Sequence, residues 1–183
     1  MGNAVEYLQP ISPDIPDWTR EEPTQFWDPG RKLLRTIRRY QYCQRRPGLV
    51  SRFFCKILVL RHRFWSVVTG ADIPLNCRIG GGLLIPHPNG IVIHPDAVIG
   101  VNCLIFQQVT IGSRTRAEVP VIGGHVDIGA GAKILGNVRI GDHAKIGANA
   151  VVTKNVATQI TAVGANQAIL RGTLVPLTTR YFT

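Results

Sequence analysis

The second half of this chain predicts a mainly β fold, a parallel β-helix, on three observations. Aliphatic residues recur on a six-residue beat at Ile73, Ile79, Ile85, Ile93, Ile99, Ile105, Ile111, Ile122, Ile128, Ile134, Ile140, Ile146 and Val152. Glycine follows many of these directly, at Gly80, Gly100, Gly112, Gly123, Gly129, Gly141 and Gly147. Small or apolar residues stand four after most beats: Cys77, Leu83, Ala97, Cys103, Val109, Val126, Ala132, Val138, Ala144 and Ala150. A period of six is neither that of a helix nor that of a flat strand. It fits repeats in which each unit is a short strand and a turn, with the beat and the small residue stacking inward. A Gly- and Ile-rich β-sandwich would not hold this spacing so long.

The remaining chain divides by composition. Residues 1–30 are rich in proline and acid and predict an extended arm with a short helix, packed through Trp18, Phe26 and Trp27. Residues 31–69 predict a helical hairpin. Its first helix puts Leu33 or Leu34, Ile37 and Tyr40 on one stripe, and Pro47-Gly48 breaks it. A second helix carries Val50, Phe53, Phe54, Ile57, Leu58, Leu60, Phe64 and Val67. The β-helix occupies 70–164, and 165–183 predict a short helix and tail.

Charge and cysteines narrow the class. The net charge is +10. No acidic residue lies between Asp28 and Asp72, a stretch that holds Arg31, Lys32, Arg35, Arg38, Arg39, Arg45, Arg46, Arg52, Lys56, Arg61 and Arg63. Without it the chain would be nearly neutral, so an anionic partner is expected at residues 31–63. Capping the open end of the coil and contact with an anionic membrane surface are both open to this hairpin. No nucleic-acid recognition motif accompanies the charge. The chain lacks a run of apolar residues long enough to span a bilayer and a basic-then-apolar leader. The four cysteines are scattered, without C-x-x-C, which points to a reducing cytoplasm, with no zinc site and no required metal.

The beat breaks twice. From Ile85 to Ile93 the step is eight, around Pro86-His87-Pro88-Asn89-Gly90; from Ile111 to Ile122 it is eleven, leaving a loop that includes Ser113 to Glu118. Departures from a regular repeat are where function is expected. His87 is the candidate general base, with Asp72 as the carboxylate that orients and stabilises its imidazolium. Stacking equivalent positions puts His87 beside Gln107, and Asn89, Gln107 and Gln108 are expected to meet the acceptor. His94 is read as a corner residue near the site, and His62, His125 and His143 as solvated.

From about residue 70 to 170 the chain resembles the left-handed β-helix acyltransferases, in the serine acetyltransferase-like branch. The resemblance rests on Ala71-Asp72-Ile73-Pro74, Ile79 to Leu83, His87 to Ile93, Gln107 to Gly112, Ile128 to Gly136 and Lys145 to Ala148. It implies a left-handed coil, a homotrimer with the pairing of two trimers left open, and acetyl-CoA in the groove between subunits. It also implies His87 and Asp72 as the catalytic pair and Gly112, Gly129, Ala130, Lys145 and Ala148 as CoA contacts. The implied reaction is direct transfer from the thioester to a hydroxyl.

Three departures bear on the acceptor. Pro86 stands where the serine enzymes carry Asp, Glu118 and Val119 stand where they carry an Arg-His pair, and only about 70 residues precede the coil. Each lost charge-assisted contact is worth ~1.5–3 kcal/mol. The expected acceptor is therefore a sugar or polysaccharide hydroxyl, as in the capsule and exopolysaccharide acetyltransferases that the short basic hairpin resembles. The alternatives are serine O-acetylation with a divergent pocket and a non-catalytic scaffold.

Overall fold

The computed structural model describes residues 11–46, 48–115, 118–165, 167–170 and 173–176. Residues 1–10 of the expected arm, Pro47 of the breaker, Arg116 and Ala117 of the long loop, and the tail after 176 lie outside these.

The hairpin consists of α1 (Pro29–Gln44) and α2 (Leu49–Thr69). Asp28 caps α1, its carboxylate accepting from the Arg31 amide, and Pro29 opens the first turn, where its missing N–H costs nothing. Leu33, Leu34 and Ile37 are buried, as their stripe requires. Gly70 closes α2 in the left-handed conformation, with φ of 64°, and delivers the chain to the first coil.

The coil has three faces. One carries β2 (Val92–Ile93), β5 (Thr110–Gly112), β8 (Lys133–Leu135) and β11 (Val151–Val152). The second carries β1 (Arg78–Ile79), β3 (Val98–Ile99), β6 (Val121–Ile122) and β9 (Arg139–Ile140). The third carries β4 (Leu104–Ile105), β7 (Asp127–Ile128), β10 (Lys145–Ile146) and β12 (Thr161–Val163). All pairings among these are parallel and join successive coils, in a left-handed β-helix. Every beat residue is buried, from Ile73 at 0% exposed to Ile79 at 8%, and so is every small residue four positions on. A continuous aliphatic column of this kind is what holds short strands that bury nothing alone. Val156 and Ala162 extend the column past Val152.

Two expectations need correction. Within 165–183, where a short helix was expected, β13 (Gln167–Leu170) and β14 (Thr173–Pro176) instead pair antiparallel and continue the third face from β12. The open edge of β12 is satisfied by strand pairing, a tertiary gain that local propensity does not report. Of the three aromatic anchors expected in the arm, Trp18 lies against Gly81 and under the Arg38 guanidinium, and polar bonds join in where Phe26 does not pack. Phe26 is 90% exposed, while Trp27 packs on Trp65 with centroids 5.9 Å apart. Buried Asn102 donates to the Ser12 and Ile15 carbonyls and accepts from the Asp17 amide at 2.7 Å. Glu21, also buried, accepts two bonds from Arg38 at 3.0 and 2.8 Å, and Arg38 in turn reaches the carbonyls of Ile79 and Gly80.

Candidate active site

The edge where the third face turns into the first collects most of the expected site. Successive coils pass it at Pro86 to Gly90, Phe106 to Gln108, Gly129 to Gly131 and Gly147 to Asn149. Backbone bonds lock these turns in a stack: Gln108 N–H to Asn89 O at 2.9 Å, Gly131 N–H to Gln107 O at 2.8 Å, and Asn149 N–H to Ala130 O at 2.8 Å. His87, Asn89, Gln107, Gln108, Gly129, Ala130 and Ala148 therefore share one edge. A Cβ at Gly129 would stand 2.6 Å from the Ala148 nitrogen, so these small residues let adjacent turns approach and leave a low shelf.

The first inserted corner sets the position of His87. Leu84 pairs with Leu104, a separation of twenty residues, but Val92 pairs with Thr110, a separation of eighteen. The two extra residues are absorbed between them. As a result the exposed His87 ring stacks on Phe106, centroids 6.5 Å apart and planes 30° from parallel. Gln107, the residue expected beside His87, belongs to the next turn of the same edge. Its side-chain Oε1 is buried, with no hydrogen-bond partner among the described residues. A buried acceptor left unpaired costs ~1–3 kcal/mol.

The hairpin walls the other side. His87 and Asn89 line a cleft of about 410 Å³ with Gln25, Trp27, Asp28 and Thr69. Gly30 presses on this corner so closely that a Cβ there would lie 2.7 Å from the Ile85 carbonyl oxygen. The Gly90 amide bonds the Gly70 carbonyl at 2.8 Å, tying the end of α2 to the turn that carries His87. Another cleft, of about 530 Å³, lies between the arm and α1 among Trp18, Glu21, Arg35 and Arg38.

Asp72 sits at the start of the first face beside Val92, with its backbone held by Ile91 and Ile93. Its carboxylate is exposed and makes no hydrogen bond or ion pair with His87 among the described residues. Gly112 ends β5 on the first face, away from the His87 edge, and pairs with Leu135. Lys145 lies on the third face with an exposed ammonium 4.0 Å from Asp127. Lys133, which the sequence did not single out, reaches over the edge to the Gln108 carbonyl at 2.6 Å. No sequence signal separates it from other outward lysines.

The remaining histidines are engaged, contrary to the solvated reading. His62 Nε2 bonds the Ile73 carbonyl at 2.8 Å, and His125 and His143 bond through their Nδ1 atoms at 2.8 Å on adjacent coils. Burial lowers the His125 pKa. Among the described residues no three His, Cys, Asp or Glu side chains gather as a metal-ligating group. Burial pushes the thiols of Cys77 and Cys103 up to about 11. Both behave as small inward hydrophobes.

Fold and edge together define a hexapeptide-repeat β-helix, and the family "Bacterial transferase hexapeptide (six repeats)" matches residues 120–154. More particular similarities point to serine acetyltransferases. That of Synechococcus elongatus is 41% identical over 101 residues, covering 54% of this chain and 41% of its own. That of Synechocystis is 39% identical over 142 residues, covering 76% and 55%. Among solved structures, the soybean serine acetyltransferase apoenzyme superposes with a TM-score of 0.64 at 36% identity, covering 80% of this chain and 57% of that one. A serine acetyltransferase complex with CoA gives 0.63 at 33%, covering 81% and 58%. The chain spans about half the length of the curated relatives it matches.

Proposed function

We propose that this chain is an acetyl-CoA-dependent O-acetyltransferase and that its acceptor is serine. The observation that carries this reading is the single edge on which His87, Gln107, Gly129, Ala130 and Ala148 stack, in a chain similar to serine acetyltransferases and to one solved with CoA. The similarity supports serine better than the sugar hydroxyl expected from the sequence.

In this reading the pantetheine arm lies along the shelf of Gly129, Ala130 and Ala148, where only small side chains and backbone groups face it. Gly112 and Lys145 are further contacts, and the exposed Lys145 ammonium offers a charge for the phosphates. Asn89, Gln107 and Gln108 are the polar contacts for the acceptor on this edge. His87 removes the acceptor hydroxyl proton as the oxygen attacks the thioester carbonyl. Backbone amides of the stacked turns stabilise the oxyanion, and His87 returns the proton to the departing thiolate. Asp72 serves as the carboxylate that supports the imidazolium once acceptor and CoA are bound. Homotrimer assembly would supply the second wall of the groove.

A second reading keeps a sugar hydroxyl as acceptor. It is favoured by Pro86 beside His87 and by Glu118 and Val119 in the long loop, which provide neither end of an amino-acid recognition set. Measuring CoA release with L-serine against a panel of free and nucleotide-linked sugars separates the two. Saturable turnover of serine is expected; turnover confined to sugars would replace serine by the second reading.

A further inference from the structure

The apolar residues of α2 lie on a side of the helix that the coil does not use. Trp65 and Thr69 face inward, and His62 bonds the coil through Ile73. Leu49, Val50, Phe53, Leu60, Phe64 and Val67 point outward, each more than half exposed. Their steps of one, three, seven, four and three residues keep them on one stripe along the helix. At 1.5 Å per residue its 21 residues extend about 30 Å.

Cations border that stripe on both sides. Arg52, Lys56 and Arg63 are exposed on one flank. On the other, Arg61 stands close enough to Arg35 and Arg39 of α1 that burial and their charges lower its pKa. None of these six has a carboxylate partner among the described residues, in contrast with Arg31 and Arg38.

We propose that this outward face of α2, with its flanking cations, is the docking surface for an anionic lipid bilayer. The helix lies in the interface plane, with Phe53, Leu60 and Phe64 among the acyl chains and the guanidiniums against headgroup phosphates. Charge selects this occupant. A second copy would bring another acid-free basic face into contact, leaving like charges opposed across the apolar stripe. A bilayer satisfies both chemistries at once. No described helix is long and apolar enough to cross a membrane, so the contact is peripheral. The cleft of His87 is lined by Val68 at the end of the stripe and so opens beside the bound surface. This inference is independent of the proposed transfer reaction.

The test is co-sedimentation of the full chain with phosphatidylcholine vesicles, with and without about one-third phosphatidylglycerol. Binding to the anionic vesicles is expected at low salt, with at least a tenfold loss at about 0.5 M salt, where screening shortens the reach of these charges to a few ångströms. The pairs Phe53→Ser with Phe64→Ser, and Arg52→Glu with Lys56→Glu, are each expected to abolish binding while melting temperature holds. Sedimentation velocity on the same variants tests self-association. Absence of binding at low salt, or binding unaffected by either pair, overturns the proposal. So does a change of oligomeric mass in the Phe variant with vesicle binding intact, which would assign the face to a second copy.

Discussion

The His87 ring lies over the Phe106 ring, 6.5 Å between centroids and 30° from parallel, across the corner where two inserted residues change the coil register. The imidazole is exposed between two prolines, and Phe106 is the ring it stacks on among the described residues. An aromatic pair contributes ~0.5–1.5 kcal/mol. Phe106→Ala is therefore expected to lower kcat/KM by about 3- to 10-fold with little effect on melting temperature. Phe106→Tyr should restore most of the loss.

The arm is pinned to the coil by Glu21 and Arg38. Glu21 is 6% exposed, accepts from Arg38 twice and also takes the Leu83 amide at 3.1 Å. Removing one partner leaves a guanidinium held among carbonyls without its counter-charge. Glu21→Ala is expected to cost ~3–5 kcal/mol, read by denaturant unfolding. Protease cutting between residues 11 and 28 should appear in this variant and not in the parent.

His125 gives the stability a pH dependence of definite sign. Burial depresses its folded-state pKa, so the native state favours the neutral ring. Stability is then full above the ordinary histidine value of ~6.5 and declines as pH falls through that value toward the lower folded one. Thermal melts between pH 8 and 5 should show the decline. His125→Asn should flatten it, since Asn tolerates the positive φ of 51° at this turn.

The thiols should fall into two classes. Cys77 and Cys103 are buried and raised to about 11, whereas Cys43 and Cys55 are half-buried on the hairpin. Titration of native protein with a thiol reagent is expected to modify Cys43 and Cys55 first. Cys77 and Cys103 should react only on unfolding.

The coil was legible in the sequence because each six-residue unit repeats one burial decision, and the predicted inward positions from Ile73 to Val152 are inward. Gly129, Ala130 and Ala148 were singled out by the resemblance and not by the count, and their turns stack on the edge that carries His87. What spacing could not show is how an insertion is absorbed. The count stacked His87 with Gln107, and it could not show that the register changes inside the corner and sets the His87 ring against Phe106. The Asn102 and Glu21 anchors were hidden as well, because they join residues far apart in sequence through single polar side chains. Lone polar residues leave no period to read. At the C-terminus, Gln167–Leu170 forms a strand because β12 offers an unpaired edge, a partner absent from any local window.

The most direct measurement is steady-state CoA release by His87→Ala beside the parent chain, with acetyl-CoA binding measured on the same samples by calorimetry. The parent is expected to release CoA in proportion to the L-serine supplied. The variant should bind acetyl-CoA within about threefold of the parent yet turn over at least 10²-fold more slowly, the scale of a lost general base. Equal turnover by the variant would contradict the central claim that this imidazole moves the acceptor proton.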